Sequence, residues 1–158
     1  ISQPYTVAVM TEALGPFEAD AKKGKVLEVG TGSGYQAAIL AQLFDQVVSI
    51  ECVPELAEEA RQTLAEQGIE NVTVAVGDGS RGWSEGALYD AIIVTAAGPR
   101  VPPPLLDQLA EGGRLVMPVG GGLVQEMVRL TKTKDGVREE RLGGFRFVPL
   151  VGEYGWSA

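Results

Sequence analysis

The chain has 158 residues, 45% of them hydrophobic, and it carries a net charge of −8 at neutral pH. This length suffices to bury one core and nothing indicates a second, so we predict a single domain over 1–158. The acidic balance argues against nucleic-acid and membrane partners, since both need clustered Lys and Arg. The chain has no histidine and one cysteine, which excludes a serine–histidine triad, an internal disulfide and a histidine or cysteine metal site. We therefore expect no metal, and a reducing, cytoplasmic compartment.

Apolar runs with strand character begin near residues 26, 47, 72, 91 and 114. Consecutive runs are separated by enough residues for a helix or a crossover loop. This spacing is typical of βαβ units, which form a mostly parallel sheet with right-handed crossovers. The predicted fold class is therefore α/β, with a doubly wound sheet and helices on both faces.

Three helices are predicted between these strands. Residues 55–67 follow a proline, carry acidic side chains in the first turn, repeat apolar side chains every four residues and precede a glycine. Residues 35–44 are rich in alanine, which lets a helix pack closely on a sheet. We expect a third helix to begin at Pro103 or Pro104, to carry Leu109 and to end where Gly112-Gly113 break it.

The C-terminal third predicts an antiparallel hairpin. Residues 124–134 and 137–147 flank Asp135-Gly136, a dipeptide typical of tight hairpin turns. Two antiparallel strands should therefore extend the parallel sheet at one edge. The glycine runs at 120–122 and 143–144 are predicted to be flexible turns.

A glycine-rich turn follows the first predicted strand. Glu28 lies near the strand end, and Gly30, Gly32 and Gly34 remove every Cβ from one side of the turn before the next helix begins. A ligand can therefore approach the backbone closely, and the N–H groups at the helix start can bind an anion. A dinucleotide fingerprint would need glycine at 35, where Tyr35 stands. The E-x-G-x-G-x-G pattern instead resembles motif I of the S-adenosylmethionine-dependent methyltransferases.

Acidic residues end the next two strands. Glu51 is placed to accept two hydrogen bonds from a ribose diol. Asp78 and Gly79 follow the third strand, where either a carboxylate or the neighbouring backbone could receive an adenine amine. Each motif alone is weak, but three of them in this order on successive strands predict a site for a nucleotide-type cofactor.

The whole chain resembles the protein-L-isoaspartate O-methyltransferases. The beginning Ile1-Ser2-Gln3-Pro4-Tyr5 and the end Phe145-Arg146-Phe147-Val148-Pro149-Leu150 are particular to that family. Similar segments in between are residues 26–41, Gly77-Asp78-Gly79 with Gly82-Trp83, residues 89–97 and residues 108–115.

The resemblance implies a class I methyltransferase that begins the repair of damaged proteins. Members transfer a methyl group from S-adenosylmethionine, leaving S-adenosylhomocysteine, to the free α-carboxylate of an L-isoaspartyl residue. The ester closes to a succinimide, which reopens partly as normal aspartate. A carboxylate is already ionised at neutral pH, so this chemistry suits a chain without a histidine base. The implied partners are isoaspartyl peptides and damaged proteins.

The resemblance also implies roles for particular residues. Ser2 matches the family's active-site serine and would orient the acceptor carboxylate, although Ser2 with Pro4 is also an ordinary helix start. The apolar residues 148–151 would wall the substrate pocket, although such a run is also typical of a plain core strand. The implied cofactor residues are Glu28, Gly30, Thr31, Gly32, Ser33 and Gly34 at the methionine and ribose end, Glu51 and Cys52 at the ribose, and Asp78 and Gly79 at the adenine; the implied substrate residues are Val148, Pro149, Leu150 and Val151.

One departure from the family concerns the N-terminus. Family members carry a further helical segment ahead of the Ile-Ser-Gln-Pro motif, and this sequence begins at Ile1. We expect a domain without that segment to fold and bind the cofactor while binding isoaspartyl peptides poorly.

Four alternatives stay open at this stage. A small-molecule O-methyltransferase would share the cofactor half. A folded cofactor-binding remnant would bind without turnover. A nicotinamide-dependent oxidoreductase would use Glu51 at its ribose, but glycine at 35 and a histidine proton donor are missing. A nucleic-acid amino-methyltransferase would have Asn or Asp before Pro-Pro and an aromatic residue where residues 95–98 stand, and this alternative is disfavoured.

Overall fold

The computed structural model describes residues 3–18 and 23–158. Its strands are β1 (Lys25–Val29), β2 (Gln46–Glu51), β3 (Val72–Val76), β4 (Tyr89–Val94), β5 (Leu109–Val119), β6 (Gln125–Thr133) and β7 (Gly136–Phe145). They form one seven-stranded sheet in the order β3-β2-β1-β4-β5-β6-β7. Strands β1 to β5 are parallel, whereas β6 and β7 are antiparallel. The predicted mostly parallel sheet with a C-terminal antiparallel hairpin is confirmed.

Helices cover both faces of this sheet. The helices are α1 (Pro4–Ala13), α2 (Tyr35–Leu43), α3 (Pro54–Glu66) and α4 (Pro103–Asp107). One face buries α1 and α2 against β1, β2, β4 and β5, and α3 packs beside them on β3. The opposite face packs α4 against β4 and β5, together with Leu150 near the C-terminus. The predicted helices 35–44 and 55–67 agree with α2 and α3 to within a residue at each end.

The third predicted helix is shorter than the sequence indicated. Helix α4 ends at Asp107, and Leu109 already begins β5, where it pairs with Tyr89. Leu105 and Leu109 are both fully buried in the same core cluster. The four-residue spacing of these leucines therefore results from burial of both side chains in one cluster, and it does not indicate a continuous helix. Gly112-Gly113 lie inside β5, where the register with β4 shifts.

The glycines at 143–144 lie within β7 and do not form a turn between elements. Glu126 pairs with Gly144 and Val128 with Arg141, so two residues of β7 oppose one of β6. This arrangement is a β-bulge, and Gly143 takes the positive φ of +103° that such a bulge favours. The predicted turn at 120–122 does connect β5 to β6.

The strand order places a binding crevice beside β1. The chain builds β2 and β3 on one side of β1 and then returns to place β4 on the other side. In open α/β sheets, ligands bind at such a switch point, outside the carboxyl ends of the strands. The glycine-rich loop after β1 lies at this position. Among residues 3–18 and 23–158, no helix is long and apolar enough to cross a bilayer.

Candidate active site

A cavity of about 440 Å³ lies at the carboxyl ends of β1, β2 and β4. Its volume falls in the range of small-molecule and cofactor sites. Most predicted site residues line it: Glu28, Gly30, Thr31, Gly32, Ser33, Glu51, Cys52, Gly79, Val148, Pro149, Leu150 and Val151. Asp78 and Gly34 are not among the lining residues, and Ser2 lies outside the described residues.

The loop after β1 is fixed against the end of β4. Gly30 has a φ of +100°, and a Cβ at this position would meet the Thr95 hydroxyl oxygen at 2.5 Å. That hydroxyl donates to the carbonyl oxygens of Val29 and Gly30, which lie at 3.1 and 2.9 Å. Gly34 precedes the first residue of α2 and also has a positive φ, of +88°. Glycine is therefore required by close approach at residue 30 and by turn geometry at residue 34.

Glu51 joins the ends of β1 and β2. One carboxylate oxygen accepts the Gly32 N–H at 2.9 Å and the other accepts the Val53 N–H at 3.1 Å. The side chain is buried and lines the cavity. The second oxygen also accepts the Cys52 thiol at 3.7 Å, whereas the first keeps an unused lone pair with which Glu51 can accept a hydrogen bond from a bound ligand.

Glu28 is a fully buried carboxyl that lines the cavity. One oxygen accepts the Ser49 hydroxyl at 2.5 Å, and Ser49 in turn contacts the Thr31 hydroxyl. The other oxygen has no hydrogen-bond partner among the described residues. Burial raises the pKa of Glu28 to about 8; the Ser49 hydrogen bond opposes this effect, and the Glu51 charge adds to it. The carboxyl is therefore mainly protonated at neutral pH.

Sequence reasoning missed Gln36 and its contact to the N-terminal helix. The Gln36 amide nitrogen donates to the Thr11 hydroxyl at 2.9 Å, which donates to the Val7 carbonyl at 2.7 Å. The amide oxygen of Gln36 is buried at the cavity without a hydrogen-bond partner in the described part of the chain. The sequence does show a polar residue, Gln36, in the first turn of α2. The prediction for this helix considered only its alanines, which let it pack closely on the sheet.

Asp78 and Gly79 occupy different environments. Gly79 lines the cavity and is packed so closely on β1 that a Cβ would meet a Val29 methyl at 2.5 Å. The Asp78 carboxylate instead accepts hydrogen bonds from Ser80 and from the Glu153 N–H. Partial burial alone would raise the pKa of Asp78, but these hydrogen bonds and the Arg81 charge outweigh burial and lower the pKa.

Residues 146–151, near the C-terminus, also line the cavity. The Val148 carbonyl accepts the Ala97 N–H at 2.8 Å, and the Leu150 N–H donates to the Ala97 carbonyl at 2.8 Å. Leu150 is buried in the core, whereas Val148 is 69% exposed. The segment is therefore a short bridge to the end of β4 and not a core strand. Arg146 also lines the cavity and is the one Lys or Arg among its described lining residues.

The donor set at this cavity suits an organic cofactor. Within residues 3–18 and 23–158, no three His, Cys, Asp or Glu side chains group as metal ligands. The lining combines apolar side chains with a few buried polar groups, of which Glu28 and Gln36 each keep one unsatisfied oxygen. Such orphan buried atoms are expected where a ligand supplies the missing hydrogen bond.

Comparisons with known proteins identify the family of this chain. The family model for protein-L-isoaspartate(D-aspartate) O-methyltransferase matches residues 1–155. A protein-L-isoaspartate O-methyltransferase of Syntrophus aciditrophicus is 54% identical over 161 residues, covering 99% of this chain and 72% of that protein. One of Methanoregula boonei is 55% identical over 157 residues, covering 99% of this chain and 70% of that protein.

Solved structures of protein-L-isoaspartate O-methyltransferases are also similar to this chain. A protein-L-isoaspartate O-methyltransferase superposes with a TM-score of 0.88 at 33% identity, and the match covers 98% of this chain and 49% of that one. The chain thus spans about half the length of that structure. A putative enzyme of the same name from Plasmodium falciparum, in complex with S-adenosyl-L-homocysteine, gives a TM-score of 0.81 at 26% identity, covering 96% of this chain and 75% of that one.

Fold and site together define an S-adenosylmethionine-dependent methyltransferase of the α/β class. This excludes the nicotinamide-dependent oxidoreductase considered above. The chain belongs to the protein-L-isoaspartate(D-aspartate) O-methyltransferase family. Its function is that of the family, the S-adenosylmethionine-dependent methylation that initiates repair of isoaspartyl damage in proteins.

Proposed function

We propose that the 440 Å³ cavity holds S-adenosylmethionine and an isoaspartyl acceptor on opposite walls. The observation that carries this proposal is that the glycine-rich loop and residues 148–151 line one and the same cavity. When bound, the cofactor supplies an electrophilic methyl group. The chain contributes binding and alignment, which alone can correspond to effective molarities of about 10⁵ M or more.

On the cofactor wall, we assign the methionine end to Glu28 and to the loop residues Gly30, Thr31, Gly32, Ser33 and Gly34. The unsatisfied oxygen of Glu28 supports this assignment, since a bound polar group would complete its hydrogen bonding. Glu51, with Cys52 beside it, is assigned to the ribose hydroxyls, because both residues line the cavity at the end of β2. Gly79 lines the cavity while the Asp78 carboxylate is bonded elsewhere, which favours backbone contact with the adenine.

On the acceptor wall, we assign the isoaspartyl residue to Val148, Pro149, Leu150 and Val151, with Ser2 orienting its α-carboxylate. Helix α1 begins two residues after Ser2, and its Val7 and Met10 line the cavity. Arg146 adds a positive charge at this wall, where a carboxylate would bind. The acceptor is ionised at neutral pH, so the chain needs no base to activate it.

Selectivity for isoaspartate follows from alignment. In isoaspartate the backbone runs through the side chain, so the free carboxylate sits on a shorter stem than in aspartate. A wall built for the shorter stem misplaces a normal aspartate, and small misplacements cost rate heavily. We propose that the substrates are damaged proteins and peptides in general and that the reaction takes place in the cytoplasm, in one domain over 1–158.

The test is transfer of labelled methyl from S-adenosylmethionine to a short isoaspartyl peptide and to the same peptide with normal aspartate. We expect base-labile label on the isoaspartyl peptide alone. Label on neither peptide, with the cofactor still bound, would identify a cofactor-binding remnant without turnover. Equal label on both peptides would contradict the proposed acceptor wall.

A further inference from the structure

A second surface cavity, of about 300 Å³, lies at the turn between β5 and β6. It adjoins the active-site cavity, because Phe147 and Pro149 line both of them. The proposed binding of the cofactor and of the isoaspartyl residue does not involve this second cavity. Its lining consists of Ala97, Gly120, Gly121, Gly122, Gln125, Phe147, Pro149 and Trp156.

Side-chain hydrogen bonds hold the walls of the second cavity in place. Gln125 is buried, and its amide oxygen accepts the Phe147 N–H at 2.8 Å while its amide nitrogen donates to the Gly122 carbonyl at 2.8 Å. The Trp156 indole N–H donates to the Ala97 carbonyl at 2.9 Å. The turn, the Phe147 backbone and the Trp156 ring are therefore fixed before a ligand binds, which lowers the entropic cost of binding.

The lining of the second cavity offers apolar surface and no charge. Two aromatic rings, a proline and an alanine contribute most of its side chains, and both polar ends of Gln125 already have a partner. No Lys, Arg, Asp or Glu is among its described lining residues. A charged side chain would lose water here without gaining an ionic partner, whereas an apolar side chain would pack against the rings. The cavity therefore suits an uncharged, apolar side chain.

We propose that the second cavity is a specificity subsite for the substrate, and that it binds an apolar side chain from a residue within two positions of the isoaspartate. This inference rests on the proposed function, which assigns the isoaspartyl residue to 148–151. A peptide bound on that segment reaches the second cavity by extending over Phe147 and Pro149. Two cavities that share lining residues lie within reach of one or two extended residues, each about 3.5 Å long.

The first experiment is a series of isoaspartyl peptides. Each of the two positions before and the two positions after the isoaspartate carries in turn leucine or glutamine, and the other positions carry alanine. Because leucine and glutamine are both uncharged, the exchange changes apolar surface and leaves long-range attraction constant. The Kd of each peptide is measured by calorimetry with S-adenosylhomocysteine bound, so that no turnover is needed.

We expect leucine to lower the Kd about tenfold relative to glutamine at one of these positions, as burial of one apolar side chain predicts. At the other positions the Kd values should agree within about twofold, because those side chains do not enter the subsite. We refer to the tenfold difference as the leucine preference. Equal Kd values at every position would overturn the inference.

Gly121→Val tests the location of the subsite by filling it. Gly121, unlike Gly120 and Gly122, has no positive φ. A Cβ at residue 121 would contact the Trp156 ring at 3.5 and 3.6 Å, which are ordinary van der Waals distances. Valine is therefore compatible with the turn and places its branched side chain in the lining. The leucine preference should fall below about twofold, while an unchanged Kd of S-adenosylhomocysteine shows that the fold is intact.

Leu123→Ala is the matched control. Leu123 lies in the same turn, is 83% exposed and is not among the lining residues, so its replacement should keep the leucine preference. A leucine preference that survives Gly121→Val would overturn the inference, as would one that Leu123→Ala abolishes. If the valine variant fails to bind S-adenosylhomocysteine, Gly121→Ala takes its place; its single methyl group should reduce the leucine preference in part, and an unreduced preference would overturn the inference.

The results also distinguish this inference from the proposed function. Methyl transfer to isoaspartyl peptides without a leucine preference would leave the proposed function in place and overturn the subsite. A leucine preference that Gly121→Val abolishes, without methyl transfer by the unmodified chain, would support the subsite and count against the proposed function. Absence of binding by every peptide would overturn both.

Discussion

The buried carboxyl of Glu28 links the stability of this protein to pH. Its ordinary pKa is near 4.5 and its pKa in the folded protein is about 8, because burial disfavours the charged form. Between these values the folded state keeps a proton that the unfolded state has released. The contribution of Glu28 to stability is therefore complete below the unfolded pKa and is lost as the pH rises through 8.

Replacement of Glu28 by glutamine tests this linkage. Glu28→Gln keeps the shape of the side chain and removes the titration, so its free energy of unfolding should fall less between about pH 5 and pH 8 than that of the unmodified protein. The fall in the free energy of unfolding from pH 5 to pH 8 should differ between the two proteins by a few kcal/mol at most. Urea unfolding at both pH values measures it. Glu59→Gln, on the exposed side of α3, is the control and should keep the original slope.

Glu51 and Ser2 should separate cofactor binding from turnover. Glu51→Ala removes the proposed ribose acceptor, and we expect the Kd of S-adenosylmethionine to rise about tenfold or more. Ser2→Ala should lower kcat more than it weakens cofactor binding, because the proposed role of Ser2 is to orient the acceptor. Calorimetry and steady-state kinetics measure the two quantities. Equal effects on both quantities in both variants would refute the two assignments.

At the scale of elements, the loop between β1 and α2 is constrained by its glycines. Gly30 combines a positive φ with a close approach to Thr95. Gly68, just after α3, has a φ of +73°, and no atom lies within 4 Å of the position that a Cβ would take there. Both glycines therefore have a positive φ that disfavours other residues, but only at Gly30 would a Cβ also clash with a neighbouring atom. This pair allows the two energetic contributions to be separated.

Alanine substitutions at these glycines should differ in their cost. Gly68→Ala should lower the free energy of unfolding by about 1 kcal/mol, the cost of a left-handed conformation. Gly30→Ala should cost at least about 1 kcal/mol more, since its Cβ displaces the Thr95 hydroxyl from two carbonyl partners. Denaturant unfolding of both variants gives the comparison. Equal losses would mean that Thr95 relaxes without cost.

Local signals account for what the sequence could predict. Helix α3 has a proline in its first turn and glycine after its end, and the strands that carry Glu28 and Glu51 are short apolar runs. The sequence predicted Leu109 to lie in the same helix as Leu105. The two residues are buried on the same side of the sheet but belong to α4 and β5, and this arrangement gives the same four-residue spacing as a helix. The contacts of Gln36 with Thr11 and of Asp78 with Glu153 join residues 25 and 75 positions apart, and no local pattern carries such information.

At the scale of the whole molecule, the net charge of −8 contrasts with the single cation among the described cavity-lining residues. An acidic protein attracts cationic peptides over distances up to a Debye length, about 10 Å at moderate salt. The proposed contact of Arg146 with the acceptor carboxylate acts only at the site itself. Salt should therefore weaken the attraction between the acidic protein and a cationic peptide more than it weakens the local contact at Arg146.

Peptide charge should change the KM in a salt-dependent manner. Isoaspartyl peptides flanked by lysine should have a lower KM than matched peptides flanked by glutamate at low salt, and the ratio should approach one at about 0.5 M salt. The two peptides should share a similar kcat, because the reacting groups are identical. Methyl-transfer kinetics at two salt concentrations measure this ratio. A ratio that does not vary with salt would contradict the electrostatic origin.

Cys52 is the only thiol in the chain and it is exposed at the edge of the cavity, with its sulfur 3.7 Å from a Glu51 carboxylate oxygen. Partial burial and the neighbouring carboxylate raise the pKa of this thiol, which slows its alkylation at neutral pH. Each molecule can gain only one adduct. The rate at which a maleimide adds to Cys52, and the degree to which S-adenosylhomocysteine slows that addition, thus give a footprint of cofactor occupancy that requires neither a labelled methyl group nor an acceptor.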